Sequence, residues 1–360
     1  MKKSIILLLS LSIIGIVNCQ TNENIQQIVD KTIDNKFVYG TVVSILKDDT
    51  LNSYYAGNIT DTTQYFIAST TKLYTTAVIL KLRYEAKLSL HDKISKYLSS
   101  EVMKNLHTVS GIDYTDSITI KHLMGQTSGL PDYFEGKPND SKSLYSQITE
   151  QGDRFWTFEE AIERSKNMSP KFKPQNDKAY YSDTNFQLLQ KIIEQITNKS
   201  IELVYQEYIF NPLDLKETYL YLDHTDIRPI QLYYKKDPLI IPKAMTSFKA
   251  DGGIVSTSLE SITFVRAFFT GILFPKEYID ELKHWNSIMF PLEYGVGLMR
   301  YKLPSYMAGG KSIELHGHSG LSGAFSFYDP ERDIYISGSV NQISKPATSF
   351  QLIAKVLSKL

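Results

Sequence analysis

Phe66-Ile67-Ala68-Ser69-Thr70-Thr71-Lys72-Leu73-Tyr74 sets a serine and a lysine three residues apart, where a strand-like run turns into a helix. Helical residues at that spacing lie about 5–6 Å apart at Cβ. The Lys72 amine can therefore approach the Ser69 hydroxyl and, once desolvation makes it neutral, accept its proton. At the first turn of a helix Ser69 also sits among backbone N–H groups without intrahelical partners, near the positive end of the dipole. This geometry suits acyl transfer. A second Ser-x-x-Lys, Ser44 to Lys47, lies in an alternating apolar run that reads as a strand interior and carries no chemistry. A lone copy reads more simply as a helix N-cap serine followed by a solvated lysine, so the rest of the chain has to decide.

Upstream, Tyr39 to Lys47 is rich in β-branched residues, Asp48-Asp49-Thr50 supplies turn chemistry, and Leu51 to Gly57 returns as the second arm of a hairpin. Before it, Ile25, Ile28, Val29 and Ile33 mark one helical face. Downstream, Leu73, Ala77, Leu80 and Tyr84 continue a helix to about Glu85. The stretch 88–240 reads mainly as helices and polar loops, with a turn at Gln126 to Pro131 and a surface loop from Glu135 to Ser146. Leu188, Leu189, Ile192, Ile193 and Ile196 form a further helical face that stops near Asn198.

After a helix from Leu259 to Gly271, Tyr294 to Met299 reads as a glycine-punctuated strand. Ala324 to Tyr328 and Ile334 to Val340 alternate as strands, and a helix from Ala347 to Leu357 closes the chain. Strands, then helices, then strands predict an α/β (α+β) architecture, an antiparallel sheet interrupted by a helical insertion. The α/β part is expected over about 24–72 and 241–360 and the helical part over about 73–240.

Lysine plus arginine equals aspartate plus glutamate at 39 each over 360 residues, and no glycine-rich phosphate loop occurs. Nothing favours nucleic acid, and the expected partner is a small molecule or short peptide. Lys2 and Lys3 precede an apolar run from Ile5 to Val17, too short for a comfortable membrane span, which reads as an export leader. Its last residue, Cys19, is the sole cysteine. Either Cys19 is lipidated as a bacterial lipoprotein anchor to the membrane, or ordinary cleavage follows it; Asn18 departs from the small residue usual before a lipidated cysteine. On both readings the protein is exported, to the periplasm, the cell envelope or the medium. No disulfide is expected in the domain. His91, His107, His122, His224 and His284 show no metal-ligand spacing, and no cofactor is implied.

Three stretches line up in order: Ser69-x-x-Lys72, Tyr181-Ser182-Asp183 and His318-Ser319-Gly320. With them the chain resembles the serine β-lactamase and penicillin-binding-protein superfamily, most closely the class C branch with its D-alanyl-D-alanine carboxypeptidase, D-aminopeptidase and esterase relatives. Gln126 to Leu130 and Asp251 to Thr257 also resemble stretches of that family. The resemblance implies a β-lactamase/DD-peptidase-like fold with Ser69 as acylated nucleophile and Lys72 as proton relay. It makes Tyr181 the partner base, a role in which a phenol needs nearby cations to stabilise its phenolate, with Lys72 and His318 as the candidates. The backbone N–H groups of Ser69 and Leu321 would form the oxyanion hole, beside Ser319 and a Gly320 that lets substrate lie against the strand edge.

Two departures stand out: His318 replaces the family's frequent lysine and Asp183 its usual asparagine. An ionised aspartate cannot donate to a substrate carbonyl, and Asp183 could simply cap the helix that starts beside it. His316 reads as structural. The substrate classes left open are D-amino-acyl peptides, esters and β-lactams, the last making the chain a class C-type β-lactamase. A catalytically silent penicillin-binding-like protein is the rival reading on the same fold.

Overall fold

The computed structural model describes residues 22–138, 141–306, 310 and 312–360; the leader and Cys19 lie outside the described residues. A first helix, α1, covers 22–30. The hairpin follows as β1 (Gly40–Lys47) and β2 (Thr50–Gly57). Asp48 and Asp49 sit between them at φ 49° and 56°, a left-handed pair whose twist matches that of the flanking strands. A two-residue strand β3 (Tyr65–Phe66) leads through a 3₁₀ turn over Ala68–Thr70 into helix α2 (Thr71–Tyr84).

Further on come α3 (Asp183–Thr197), β4 (Tyr219–Leu220), β5 (Ile254–Ser256) and α4 (Ser258–Thr270). The C-terminal part supplies β6 (Asn286–Met289), β7 (Leu292–Tyr294), β8 (Met299–Leu303), β9 (Ile313–Ser319), β10 (Ala324–Asp329), β11 (Ile334–Ser339) and helix α5 (Ala347–Leu357).

Eight of these strands form one antiparallel sheet in the order β6-β7-β8-β9-β10-β11-β1-β2. The early hairpin is thus zipped onto the last strand, with Val42 opposite Ser339 and Lys47 opposite Ile334. Along β1, Val43 and Ile45 join a core capped by Ile25 and Val29 of α1 and by Ile353 and Val356 of α5. Val42 and Leu46 face the other core, shared with Phe264 and Phe268 of α4. Both faces are covered, so the strand reads as an apolar run interrupted only by Ser44, whose hydroxyl bonds Ser258 Oγ at 2.8 Å.

Helix α2 is buried nearly all round, through Leu73, Tyr74, Ala77, Val78, Ile79, Leu80 and Leu82. This explains its weak amphipathic stripe, for a helix enclosed on every side has no face to keep polar. A small sheet β3-β5-β4, with Phe66 opposite Val255 and Val255 opposite Tyr219, pins the residues just before Ser69.

Two local expectations need correction. Tyr294 to Met299 is not one strand: β7 ends at Tyr294 and β8 starts at Met299, with Gly295 N bonded to Leu298 O at 2.7 Å across the connection. Within the expected loop Glu135 to Ser146, a helix begins at Leu144 because the Ser143 hydroxyl accepts from Ser146 N, a helix start that the surrounding polar residues concealed.

Candidate active site

The turn that delivers Ser69 is set by its predecessor: Ala68 adopts φ +46°, a conformation that costs a residue with a Cβ about 1 kcal/mol or more. Three residues after Ser69, at the second position of α2, Lys72 Nζ reaches back to Ser69 Oγ at 3.1 Å and donates to the carbonyl oxygen of Asp251 at 2.6 Å. It also lies 2.6 Å from Asp183 Oδ1, with the lysine side chain fully buried and the carboxylate 11% exposed.

Burial works against the lysine's charge, but Asp183 and Asp251 outweigh it and hold the ammonium above its usual pKa. The desolvation that would neutralise Lys72 is therefore outweighed: the free site holds an ammonium, because a carboxylate stands where an asparagine would carry no charge. Asp183 is the first residue of α3 yet caps nothing, since its side chain turns to Lys72 and Ser182 is the N-cap position. The helix-cap reading of Asp183 is corrected accordingly.

Tyr181 lies beside this pair, its ring centroid 5.2 Å from Lys72 Nζ. Burial and then the charge of Asp183 push its phenol well above the ordinary value, against a smaller pull from the Ser69 hydroxyl. The resting group is a phenol, not the phenolate expected from sequence. His318 does not supply the second cation either. Burial, followed by the charge of Lys72, lowers its pKa to about 3. Its Nδ1 is 2.7 Å from Ser319 O and its Nε2 is 3.2 Å from Tyr294 Oη. A carbonyl can only accept, so the proton of the neutral ring belongs on Nδ1 and Tyr294 donates to Nε2. His318 is a neutral strut between β7 and the end of β9. His316, two residues earlier, pairs with Glu314 at 3.1 Å and lies against Trp285.

After β9, Gly320 N donates to Ala324 O at 2.7 Å and Ser322 Oγ to Phe66 O at 2.6 Å, tying this turn to the strand before Ser69. The need for glycine at position 320 lies in the protein itself. A Cβ there would stand 2.3 Å from Ile67 O and 3.0 Å from Ala68 Cβ.

Ser69, Tyr181, Asp183, Ser319, Gly320 and Leu321 all line one cavity of about 370 Å³. One wall is apolar, built from Phe134, Tyr145, Ile148, Met245, Phe248 and Ile343. Four acidic residues, Asp132, Glu135, Asp183 and Asp251, also line the cavity, and among the described residues no lysine, arginine or histidine does. Burial and the Asp183 charge raise Asp132 to about 8 although it accepts from the Asp183 and Glu135 backbone N–H groups, both at 2.9 Å. The same two causes lift Asp251 well above the usual carboxyl range, opposed by Lys72; its Oδ2 accepts from Tyr133 Oη at 2.8 Å. Glu135 is raised as well, by burial and then Asp183. Such a cluster is short of positive charge.

Sequence reasoning did not single out Asp132, Glu135 or Tyr294, nor give Asp251 a role. Asp251 stood in a quoted stretch, whereas nothing marks Tyr294 among 24 tyrosines. Among the described residues no group of histidine, cysteine, aspartate and glutamate is arranged to hold a metal ion, and no helix is long and apolar enough to cross a membrane.

A half-buried serine and a buried lysine at the head of a central helix, walled by the end of a strand of an antiparallel sheet, form the arrangement of the serine β-lactamase and penicillin-binding-protein class. The Beta-lactamase family model matches residues 25–355, and the chain belongs to that family. It is 27% identical over 332 residues to Protein flp of Staphylococcus aureus, covering 88% of this chain and 56% of that protein. The chain thus spans about half the length of this relative.

Among solved structures, the D-amino acid amidase from Ochrobactrum anthropi SV3 superposes with a TM-score of 0.76 at 21% identity, covering 94% of this chain and 98% of the amidase. The octameric penicillin-binding protein homologue from Pyrococcus abyssi gives 0.71 at 25% identity, covering 96% of this chain and 77% of that one.

Proposed function

We propose that this chain is an exported serine hydrolase that forms an acyl-enzyme at Ser69. Its preferred acyl donors are D-amino acid amides, short D-aminoacyl peptides and esters that bear a free amine and a bulky apolar side chain. The observation that carries this reading is the cavity's composition: four acidic residues, an apolar wall and, among the described residues, no cationic one. An α-ammonium supplies the positive charge that Asp132, Glu135 and Asp251 lack, and a phenyl or branched alkyl group fits the wall formed by Phe134, Ile148 and Phe248. The D configuration is supported by the likeness in fold to the D-amino acid amidase and by the three ordered motifs.

The same chemistry argues against the class C-type β-lactamase and against peptides ending in a free carboxylate. Both substrates present an anion to a site with no unpaired cation, because His318 is neutral and Lys72 is engaged by Asp183. In the proposed reaction Ser69 Oγ attacks the acyl carbon while Lys72 takes and returns the proton. The developing oxyanion is held by the Ser69 and Leu321 N–H groups. Tyr181 keeps its proton and acts as a hydrogen-bond donor beside the nucleophile. The intact Ser69, Lys72 and Tyr181 speak against a silent binding protein.

The test compares kcat/KM for D-phenylalanine amide and methyl ester with their N-acetyl counterparts and with benzylpenicillin. Loss of a charged hydrogen bond is worth about 1.5–3 kcal/mol, so the free amine should be favoured by about 10–100-fold. Equal rates for free and acetylated amines, or faster penicillin turnover, would overturn the substrate reading. Full activity in Ser69→Ala would overturn the nucleophile.

A further inference from the structure

The family's usual asparagine is replaced here by a carboxylate that touches the catalytic amine and nothing else of like polarity: Asp183 Oδ1 stands 2.6 Å from Lys72 Nζ, and Nζ stands 3.1 Å from Ser69 Oγ. Lys72 thus bridges two groups of the cavity lining from behind it, since Ser69 and Asp183 line the cavity and Lys72 does not. Neutralising Lys72 by sending its proton to water would require a route past a fully buried side chain. Passing it to Asp183 requires a movement of less than one ångström along an existing contact.

We propose that Asp183 is the proton store of this site, taking one proton from Lys72 before Ser69 attacks and returning it once the leaving group has departed. The inference rests on the reading of Ser69 and Lys72 as nucleophile and relay. Each step balances. First the Lys72 Nζ–H bond breaks and an Asp183 Oδ1–H bond forms, converting an ion pair into an amine and a carboxylic acid. Next Ser69 Oγ bonds to the acyl carbon; its O–H bond breaks, and the proton and a new N–H bond restore the ammonium. The carbonyl π pair becomes the oxyanion. As the oxyanion collapses, the bond to the leaving amine or alkoxide breaks and Lys72 gives that group its proton. Finally Asp183 returns the stored proton to Lys72.

Several features favour a neutral intermediate pair. In a low-dielectric pocket an ion pair and its neutral tautomer approach each other in energy, because two desolvated charges are exchanged for none. The environment of the pair is also rich in acid. Facing Lys72 are Asp183 from α3, Asp251 from the turn before β5, Tyr181, Tyr294 from β7, His318 from β9 and Tyr205. Facing Asp183 are Lys72, Asp132, Asp251, Glu135 and Tyr133. Asp132 and Asp251 are pushed toward their protonated forms by burial and by the charge on Asp183. A proton arriving on Asp183 relieves both. The charge that raises both of them is the one the relay removes.

The deciding variant is Asp183→Asn, which keeps the shape and cannot take the proton. At neutral pH its kcat for an ester should fall by about 10²–10⁴, the range for losing an acid–base group. The loss should shrink as pH rises toward the range in which a lysine sheds its proton unaided. A profile superimposable on that of the wild type, or a variant faster at neutral pH, would overturn the proposal; the faster variant would make Asp183 a brake that merely holds charge on Lys72.

Removing one partner of a buried pair strains the fold, so a second measurement uses the wild-type enzyme. With carbon-13-labelled aspartate, the Asp183 carboxyl carbon is followed by NMR as phenylboronic acid forms its tetrahedral adduct. A change from carboxylate to acid supports the store, and an Asp183 that stays ionised overturns it. Ser69→Ala is run in parallel with the ester: turnover surviving there removes the underlying reading, whereas an unaltered Asp183→Asn profile removes only this inference.

Discussion

Gly320 presses against the carbonyl of Ile67: a Cβ at position 320 would lie 2.3 Å from Ile67 O, far inside contact distance. The end of β9 and the turn before the nucleophile are therefore mutually supporting, and neither can shift without the other.

Gly320→Ala should accordingly push Ala68 and Ser69 away from β9. A misplacement on the order of 1 Å at a reacting centre costs about 10²-fold in rate. We expect kcat to drop by about that much while the KM of a small ester changes little. Steady-state kinetics on an ester checks it; wild-type kcat would show that the neighbouring backbone yields without consequence.

Lys72→Met should cost far more stability than a surface lysine would. It strands Asp183 and leaves Asp251 without the charge that opposes its rise, and breaking one side of a buried pair costs about 3–5 kcal/mol. Adding Asp183→Asn should recover much of that loss. Denaturant melts of the two single variants and the double variant give the coupling, and strict additivity would refute the pairing.

His318 makes the fold acid-sensitive in a definite direction. Its folded pKa is lowered to about 3 by burial and Lys72, while the unfolded ring titrates near 6.5. Below about 6.5 the unfolded chain gains a proton that the folded ring refuses, so stability falls with pH until the folded pKa is reached. The span corresponds to about 4–5 kcal/mol at most. His318→Gln should therefore lose less stability between neutral pH and about pH 4 than the wild type. Thermal melts across that range test this; parallel curves would contradict the depressed value.

If Cys19 is lipidated, mass spectrometry of the mature protein should find a diacylglyceryl group on an N-terminal cysteine. An unmodified chain beginning at Gln20 would instead establish plain cleavage. The motivation is a sole cysteine at the end of an apolar leader.

The Ser69–Lys72 contact was legible because helix geometry converts a spacing of three into a shared face, so the pair needed no tertiary information. The first hairpin was legible for a similar reason, since two adjacent aspartates in a left-handed turn leave a local signature. Asp183 was visible as a departure, yet its pairing with Lys72 spans separate helices and no local rule predicts it. The protonation states were also illegible. Tyr181 and His318 read from sequence as phenolate and imidazolium, and it is burial, which only the assembled core creates, that keeps both uncharged. The strands β6 and β7 escaped notice because each has four residues or fewer, too short for an alternation to show.

The pairing of β1 with β11 has a temporal consequence. Thr41 Oγ1 bonds Ser339 O across 298 positions of sequence, so the first hairpin waits for nearly the last strand before its open edge is covered. A chain threading outward from its N-terminus exposes that edge, and the Ser69 turn behind it, throughout most of its passage. Contacts so distant in sequence form slowly and leave unpaired strands vulnerable to aggregation. The Ile67–Ala68 backbone that leads into Ser69 meets Gly320 only after that closure. A truncated chain would therefore carry Ser69 without the β9 turn that walls it, and the assembled cavity would arrive all at once with the final strands.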